Sequence, residues 1–249
     1  MKKNTINGFN RNVFEIETVN GEKIVSKTHQ KLIFLKREEF FYDLFKKIPL
    51  IKTPDIYLIE GLQLKTYFVS GMYKNIPLAA KNWAKVHNYF IENPILESGL
   101  FLQHDINEVA SYLLEQDGFL EFVGKKVGKL LGNVEIDTNL KTLLHGDLTT
   151  KNFISNKGIN YYFDFELGGI GHPARDIASL IISTPNRKRD IIDSYKHQFN
   201  YNYLSFEKDI KNWMLVRASQ LLFIIKNKKG NYNKRKRMEN KLVNIIGNL

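Results

Sequence analysis

Residues 144–166 constrain this chain more than any other stretch. Leu144-His145-Gly146-Asp147-Leu148-Thr149-Thr150-Lys151-Asn152-Phe153-Ile154 runs from an apolar approach through a tight polar loop into a short strand. A turn at Asn156-Lys157-Gly158 leads to a second apolar strand that ends Tyr161-Tyr162-Phe163-Asp164-Phe165-Glu166. The hairpin returns Asp164 to the end that carries Asp147 and, five residues on, Asn152. Two carboxylates and one amide oxygen meet there, and the chain has no cysteine. Hard oxygen donors of this kind suit Mg²⁺, which takes one or two carboxylates and completes its shell with water and phosphate oxygens. Asn152 and Asp164 are the candidate metal ligands. Asp147 has no evident metal duty and is free to orient and deprotonate a hydroxyl, so it is the candidate catalytic residue.

The pattern His-Gly-Asp-x-x-x-x-Asn followed by Asp-Phe-Glu resembles the catalytic and metal-binding motifs of the aminoglycoside phosphotransferase and choline kinase-like family, small-molecule relatives of the protein kinases. Protein kinases carry His-Arg-Asp and Asp-Phe-Gly at these places. Here Gly146 stands for the arginine and Glu166 for the last glycine, which points to the small-molecule branch. The resemblance implies an α+β, protein kinase-like fold in two lobes. A small antiparallel β-lobe over residues 1–74 would bind nucleotide, and a mainly helical lobe over 75–249 would carry the catalytic hairpin and bind the acceptor. It implies Mg²⁺-dependent transfer of the γ-phosphoryl group of ATP to an alcohol group of a small molecule such as a sugar or amino alcohol. His145 would orient the loop.

Composition agrees and narrows the partners. At 249 residues the chain can bury a sizeable core, and a hydrophobic fraction of 43% excludes a disordered protein. No apolar run reaches the roughly eighteen residues of a membrane helix, and Met1-Lys2-Lys3-Asn4 opens no signal segment. The absence of cysteine fits a reducing, cytoplasmic setting. A formal charge of +11 favours anionic partners such as nucleotides, phosphates or nucleic acid.

The N-terminal third reads as β-rich. Val13 to Thr18 alternates like a half-buried strand, Asn20-Gly21 is a hairpin signal, and Lys23 to Lys27 would return. In the family resemblance, the loop Gly8 to Val13, with Gly8 and Asn10, covers the nucleotide, and Lys27 pairs with its phosphates. Residues 35–45 have helical spacing. The resemblance makes Glu38 the partner of Lys27, with Glu39 as the alternative. Strands over 55–59 and 66–69 precede Ser70-Gly71-Met72-Tyr73, which resembles a hinge whose backbone at Ser70 and Met72 would bond the adenine edge. Pro77 opens a helix over 78–90 in which His87 reads as a packing residue.

From 92 to 139 the pattern is helical but interrupted: Asp105 caps one helix, and 119–131 reads as a further amphipathic stretch. After the hairpin, Asp176 in Ala174-Arg175-Asp176-Ile177-Ala178 holds the catalytic loop's backbone in the resemblance. Helices are expected over 191–199 and 210–225. The alternative acceptor is a macromolecule, RNA (tRNA) or a protein, and the basic end, with Lys226, Lys228, Lys229, Lys234, Arg235, Lys236, Arg237 and Lys241, would suit RNA. A non-catalytic nucleotide-binding protein and a resistance enzyme for cationic aminoglycosides are further readings. The intact Asp147, Asn152 and Asp164 set opposes the first, and the excess of Lys and Arg after Asp176 opposes the second.

Overall fold

The computed structural model of the chain describes residues 4–7, 13–71, 73–95, 99–136, 139–201, 203–227 and 232–249. Strands β1 (Asn4–Asn7), β2 (Val13–Val19), β3 (Glu22–Thr28), β4 (Ile56–Glu60) and β5 (Gln63–Tyr67) form an antiparallel sheet in the order β1-β2-β3-β5-β4. β2 and β3 pair from Val13↔Thr28 to Val19↔Glu22, and Asn20 and Gly21 between them have φ of 51° and 86°. Two successive left-handed residues match the twist of the flanking strands, which is why Asn-Gly turns the chain here. Helix α1 (Leu32–Lys47) packs on the sheet, and Leu35, Glu38, Phe41, Tyr42 and Phe45 form its buried face at helical spacing.

Residues 68–71 and 73–75 lead out of the sheet into α2 (Ile76–Glu92). Asn75 caps that helix through its side-chain oxygen, which accepts from Leu78 N at 3.1 Å, and Pro77 occupies the first turn, where no intrahelical N–H is needed. Beyond it lie α3 (Ile106–Leu114), α4 (Phe119–Val123), α5 (Lys125–Gly132), α6 (Ala174–Ser183), α7 (Lys188–Lys196), α8 (Tyr203–Asn227) and α9 (Tyr232–Gly247). Asp105 caps α3 by accepting from the amides of Asn107 and Glu108. The single amphipathic stretch expected over 119–131 is corrected: Gly124, at φ 83° and ψ 152°, divides it into α4 and α5 because that conformation cannot continue a helix.

Two small sheets carry the functional loops. β6 (Leu102–His104), β7 (Thr142–Leu144) and β10 (Gly169–Gly171) are ordered β6-β10-β7, while β8 (Phe153–Asn156) and β9 (Ile159–Tyr162) form a hairpin. Lys157 and Gly158 turn that hairpin at φ of 47° and 81°. The molecule thus has the expected two-lobed, kinase-like α+β architecture, with a buried core that runs from α1 through Trp83 to Trp213 of α8. Among the described residues, no helix is long and apolar enough to cross a membrane.

Candidate active site

The buried strand β7 delivers the chain to His145-Gly146, where a carboxylate from another element takes over. Asp176, fully buried in the first turn of α6, accepts from His145 N at 2.8 Å and from Gly146 N at 3.0 Å. The same group meets His87 Nε2 at 3.4 Å, and His87 Nδ1 lies 2.7 Å from the Tyr195 hydroxyl. His87 is therefore a bonded packing residue. Burial works to raise the Asp176 carboxyl, yet the bonds and charge from His87, His145 and the loop amide hold it below the ordinary carboxylate range. Gly146, at φ 80°, would place a Cβ 1.7 Å from the Leu167 carbonyl oxygen, so only glycine fits there. Arg175 Nη2 donates to Gly146 O at 3.1 Å and fixes the turn from the other side.

Asp176→Asn should destabilise the fold by about 2–3 kcal/mol, since one loop amide would then face an NH₂ group instead of an acceptor. The folded carboxyl titrates below its unfolded value, so its contribution is present above about pH 4 and is lost as pH falls through the folded value. Denaturant melts of both proteins should therefore differ at neutral pH and converge on acidification. A gap that is constant with pH would remove the carboxylate as its cause.

Asp147 follows this clamp, with its side chain one quarter exposed. Asn152 Nδ2 donates to Asp147 O at 2.7 Å and to Asp147 Oδ2 at 3.1 Å, which leaves the amide oxygen outside that pair. Asn152 O in turn accepts from Phe163 N at 3.1 Å, and Asp164 is the next residue. Asp164 stands at φ 68°, a left-handed conformation that a non-glycine residue adopts only when its surroundings enforce it. Its amide donates to Glu38 Oε1 at 3.1 Å and its Oδ1 lies 2.6 Å from Lys27 Nζ.

Lys27 is buried, with Glu38, Asp164 and Glu166 oxygens each 2.6 Å from its ammonium. Burial would lower its pKa, but the three carboxylates outweigh it and hold the group far above the ordinary lysine value. Burial pushes Glu38 up to about 7 against the pull of Lys27. The structure thus pairs Lys27 with Glu38 rather than Glu39. The aromatic contacts explain why: Phe165 stacks on Phe41 at 4.9 Å and meets His145 at 4.7 Å, so α1 and the catalytic loop grip one ring and Glu38 is turned to the lysine. His29 lies beside them, 3.4 Å from Glu38 and 3.6 Å from Glu166, and burial followed by Lys27 lowers it to about 3, a neutral imidazole. His29, Glu38 and Glu166 offer donor atoms within 4.8 Å of one another, yet the Lys27 ammonium already fills that space. Of the two candidate metal ligands, Asp164 lines the cleft, and Asn152 is buried beside Asp147.

That cleft, of about 200 Å³, runs between the sheet and the hairpin. Val25, Leu64 and Val69 wall it above, Ile154 and Phe163 below, and Lys27 and Asp164 close its inner end. Gly8, Asn10 and Met72 lie outside the described residues. Ser70 directly follows the lining residue Val69 and is exposed.

Two groups escaped the sequence reading. Glu166 was visible in the motif, but nothing local placed it on Lys27. Arg217 of α8 donates through Nη2 to Asp147 Oδ1 at 2.8 Å. Its one signal was a charged residue inside the apolar run Trp213-Met214-Leu215-Val216-Arg217-Ala218.

Residues 91–207 match the model of a family described as "Phosphotransferase enzyme family". No curated protein matches the sequence. Among solved structures, a choline kinase from Streptococcus pneumoniae aligns with a TM-score of 0.67 at 16% identity, over 100% of this chain and 94% of that one. A microcompartment-associated aminopropanol kinase aligns with a TM-score of 0.70 at 10% identity, over 98% of this chain and 90% of that one. Amicoumacin kinase, solved with AMP-PNP, Ca²⁺ and Ami, aligns with a TM-score of 0.69 at 12% identity, over 99% and 88%. At these identities the likeness is one of fold.

Proposed function

We propose that this chain, whose residues 91–207 match the model of a phosphotransferase family, moves the γ-phosphoryl group of ATP to a hydroxyl of a small molecule and requires Mg²⁺ to do so. The observation that supports the reading is the bonded set Asp147–Asn152–Phe163–Asp164, whose last member lines an apolar cleft together with Lys27.

In this reading the adenine lies between Val25 and Leu64 above and Ile154 and Phe163 below, and Lys27 faces the phosphates. Asn152 and Asp164 hold the metal. Bound Mg²⁺ would neutralise the phosphate oxygens and polarise the γ-phosphoryl group. Asp147 orients the acceptor hydroxyl and takes its proton as the oxygen bonds to the γ-phosphorus. The bond to the bridging oxygen breaks and ADP leaves with the electron pair. Little covalent chemistry falls to the protein, so positioning and charge dominate.

The test is transfer of label from γ-labelled ATP with the small-molecule and RNA fractions of a cell extract offered separately. Label should enter an alkali-stable ester in the small-molecule fraction, dependent on added Mg²⁺. Label found only in RNA, to which the basic α9 would then contribute, would replace the acceptor. Metal-independent transfer would overturn the reading.

A further inference from the structure

The acceptor side of Asp147 is positively charged. Arg217, 8% exposed, spends Nη2 on Asp147 Oδ1 at 2.8 Å and Nη1 on Gln220 Oε1 at 2.6 Å. A guanidinium has five N–H donors in a rigid fork, and these bonds use two. Arg175 stands behind the loop on Gly146 O, and burial, followed by the charge of Arg217, lowers its pKa. On the far side, Thr150 N donates to Ser183 Oγ at 3.3 Å and Lys241 Nζ of α9 donates to Ser183 O at 3.1 Å. That lysine is held below its ordinary value by burial and by Lys151 of the catalytic loop. The acidic residue two turns before Arg217 on α8, Asp209, is turned to His172 at 3.4 Å.

A cationic acceptor entering this wall would be repelled, and Asp147 has no charge left over to attract it. From the fork of Arg217 beside the base we infer that the acceptor carries, close to its reacting hydroxyl, an anionic group, a carboxylate or a phosphate, gripped by Arg217 with Lys241 at the rim. This rests on the phosphotransfer reading. It adds a role for Arg217, which lies outside the matched segment 91–207. Its bond to Asp147 Oδ1 makes Arg217 a positioning residue for the base as well as the anchor of the acceptor.

The test titrates four probes into the protein loaded with AMP-PNP and Mg²⁺ at fixed ionic strength: D-glycerate, glycerol 3-phosphate, glycerol and ethanolamine. The same probes are offered with γ-labelled ATP. At least one anionic probe should bind about tenfold or more tighter than glycerol, the scale of a charge-assisted bidentate contact, with ethanolamine weakest. Whether glycerate or glycerol 3-phosphate leads identifies the anion. Arg217→Gln should abolish the preference, and Arg217→Lys, which keeps charge but not the fork, should restore part of it. Lys241→Gln, at an exposed position, should lower the preference less and guards against an Arg217 variant that fails to fold. Preferred binding of ethanolamine, or an anion preference that survives Arg217→Gln, would overturn the inference. Should no probe take label, the titration still decides it. An Arg217-dependent anion preference would uphold the anion site while the phosphotransfer reading stands or falls on the extract screen.

Discussion

Asp164→Ala is expected to abolish phosphoryl transfer at every concentration of Mg²⁺ or Mn²⁺, whereas wild-type protein stripped by a chelator should regain activity when metal returns. The reasoning starts from the backbone. Asp164 is held at φ 68° by the Glu38 bond to its amide and by Lys27 on its carboxylate. A protein tolerates such a conformation when the side chain is needed where it points. Removal of the carboxylate leaves Glu38 and Glu166 on Lys27, so the lysine stays charged and the core around Phe165 is untouched. The variant should therefore still fold, with a lower melting temperature because alanine fits the left-handed backbone less well, while it is inactive. Recovery of Asp164→Ala by excess metal would take Asp164 out of the ligand set, and full activity of chelated wild type would remove the metal altogether.

The second large effect concerns the base. Asp147→Asn should lower turnover by about 10²–10⁴-fold, the usual worth of a positioned proton acceptor. The loop itself is held by Asp176 and Arg175, not by Asp147, so its path should survive the change. Nucleotide affinity, which the proposed reading sets in a cleft that Asp147 does not line, should change little. Single-turnover transfer to an identified acceptor, alongside a titration with AMP-PNP, separates the two quantities. Turnover within a few-fold of wild type would return Asp147 to a structural role.

What could be read from sequence is what is local in it. The catalytic hairpin spans little more than twenty residues, and its turn chemistry, alternation and polar spacing all act within that reach. The Asn20-Gly21 hairpin and the caps at Asn75 and Asp105 are local for the same reason. Lys27 and Glu38 sit on neighbouring elements, and periodicity plus a family likeness sufficed to suggest the pair. Arg217 is different: it reaches Asp147 only because α6 and α8 pack together, and no pattern along the chain encodes that crossing. Glu166 reaches Lys27 only because Phe165 is buried between α1 and the loop. The break at Gly124 was missed because one glycine inside an apolar period looks tolerable until its backbone angle is known.

The hinge has a mechanical consequence. Tyr73 O accepts from Ser155 N at 3.1 Å, Asn75 N donates to Ser155 Oγ at 2.7 Å, Asn160 Nδ2 donates to Asn75 O at 2.8 Å, and Lys74 Nζ reaches Phe153 O at 2.5 Å. The connector is thus riveted to the β8–β9 hairpin, and Gly71 lies so near Ile154 that a Cβ there would meet its side chain at 2.3 Å. The floor of the cleft therefore rides with the hairpin and its Asp164, while Val25, Leu64 and Lys27 belong to the sheet above. A tilt of the sheet would thus move Lys27 and the ceiling against the hairpin with no change in the spacing of Asp147, Asn152 and Asp164. Closure of the cleft and alignment of the transfer residues would then be separate mechanical tasks, and the second would be complete before the first begins.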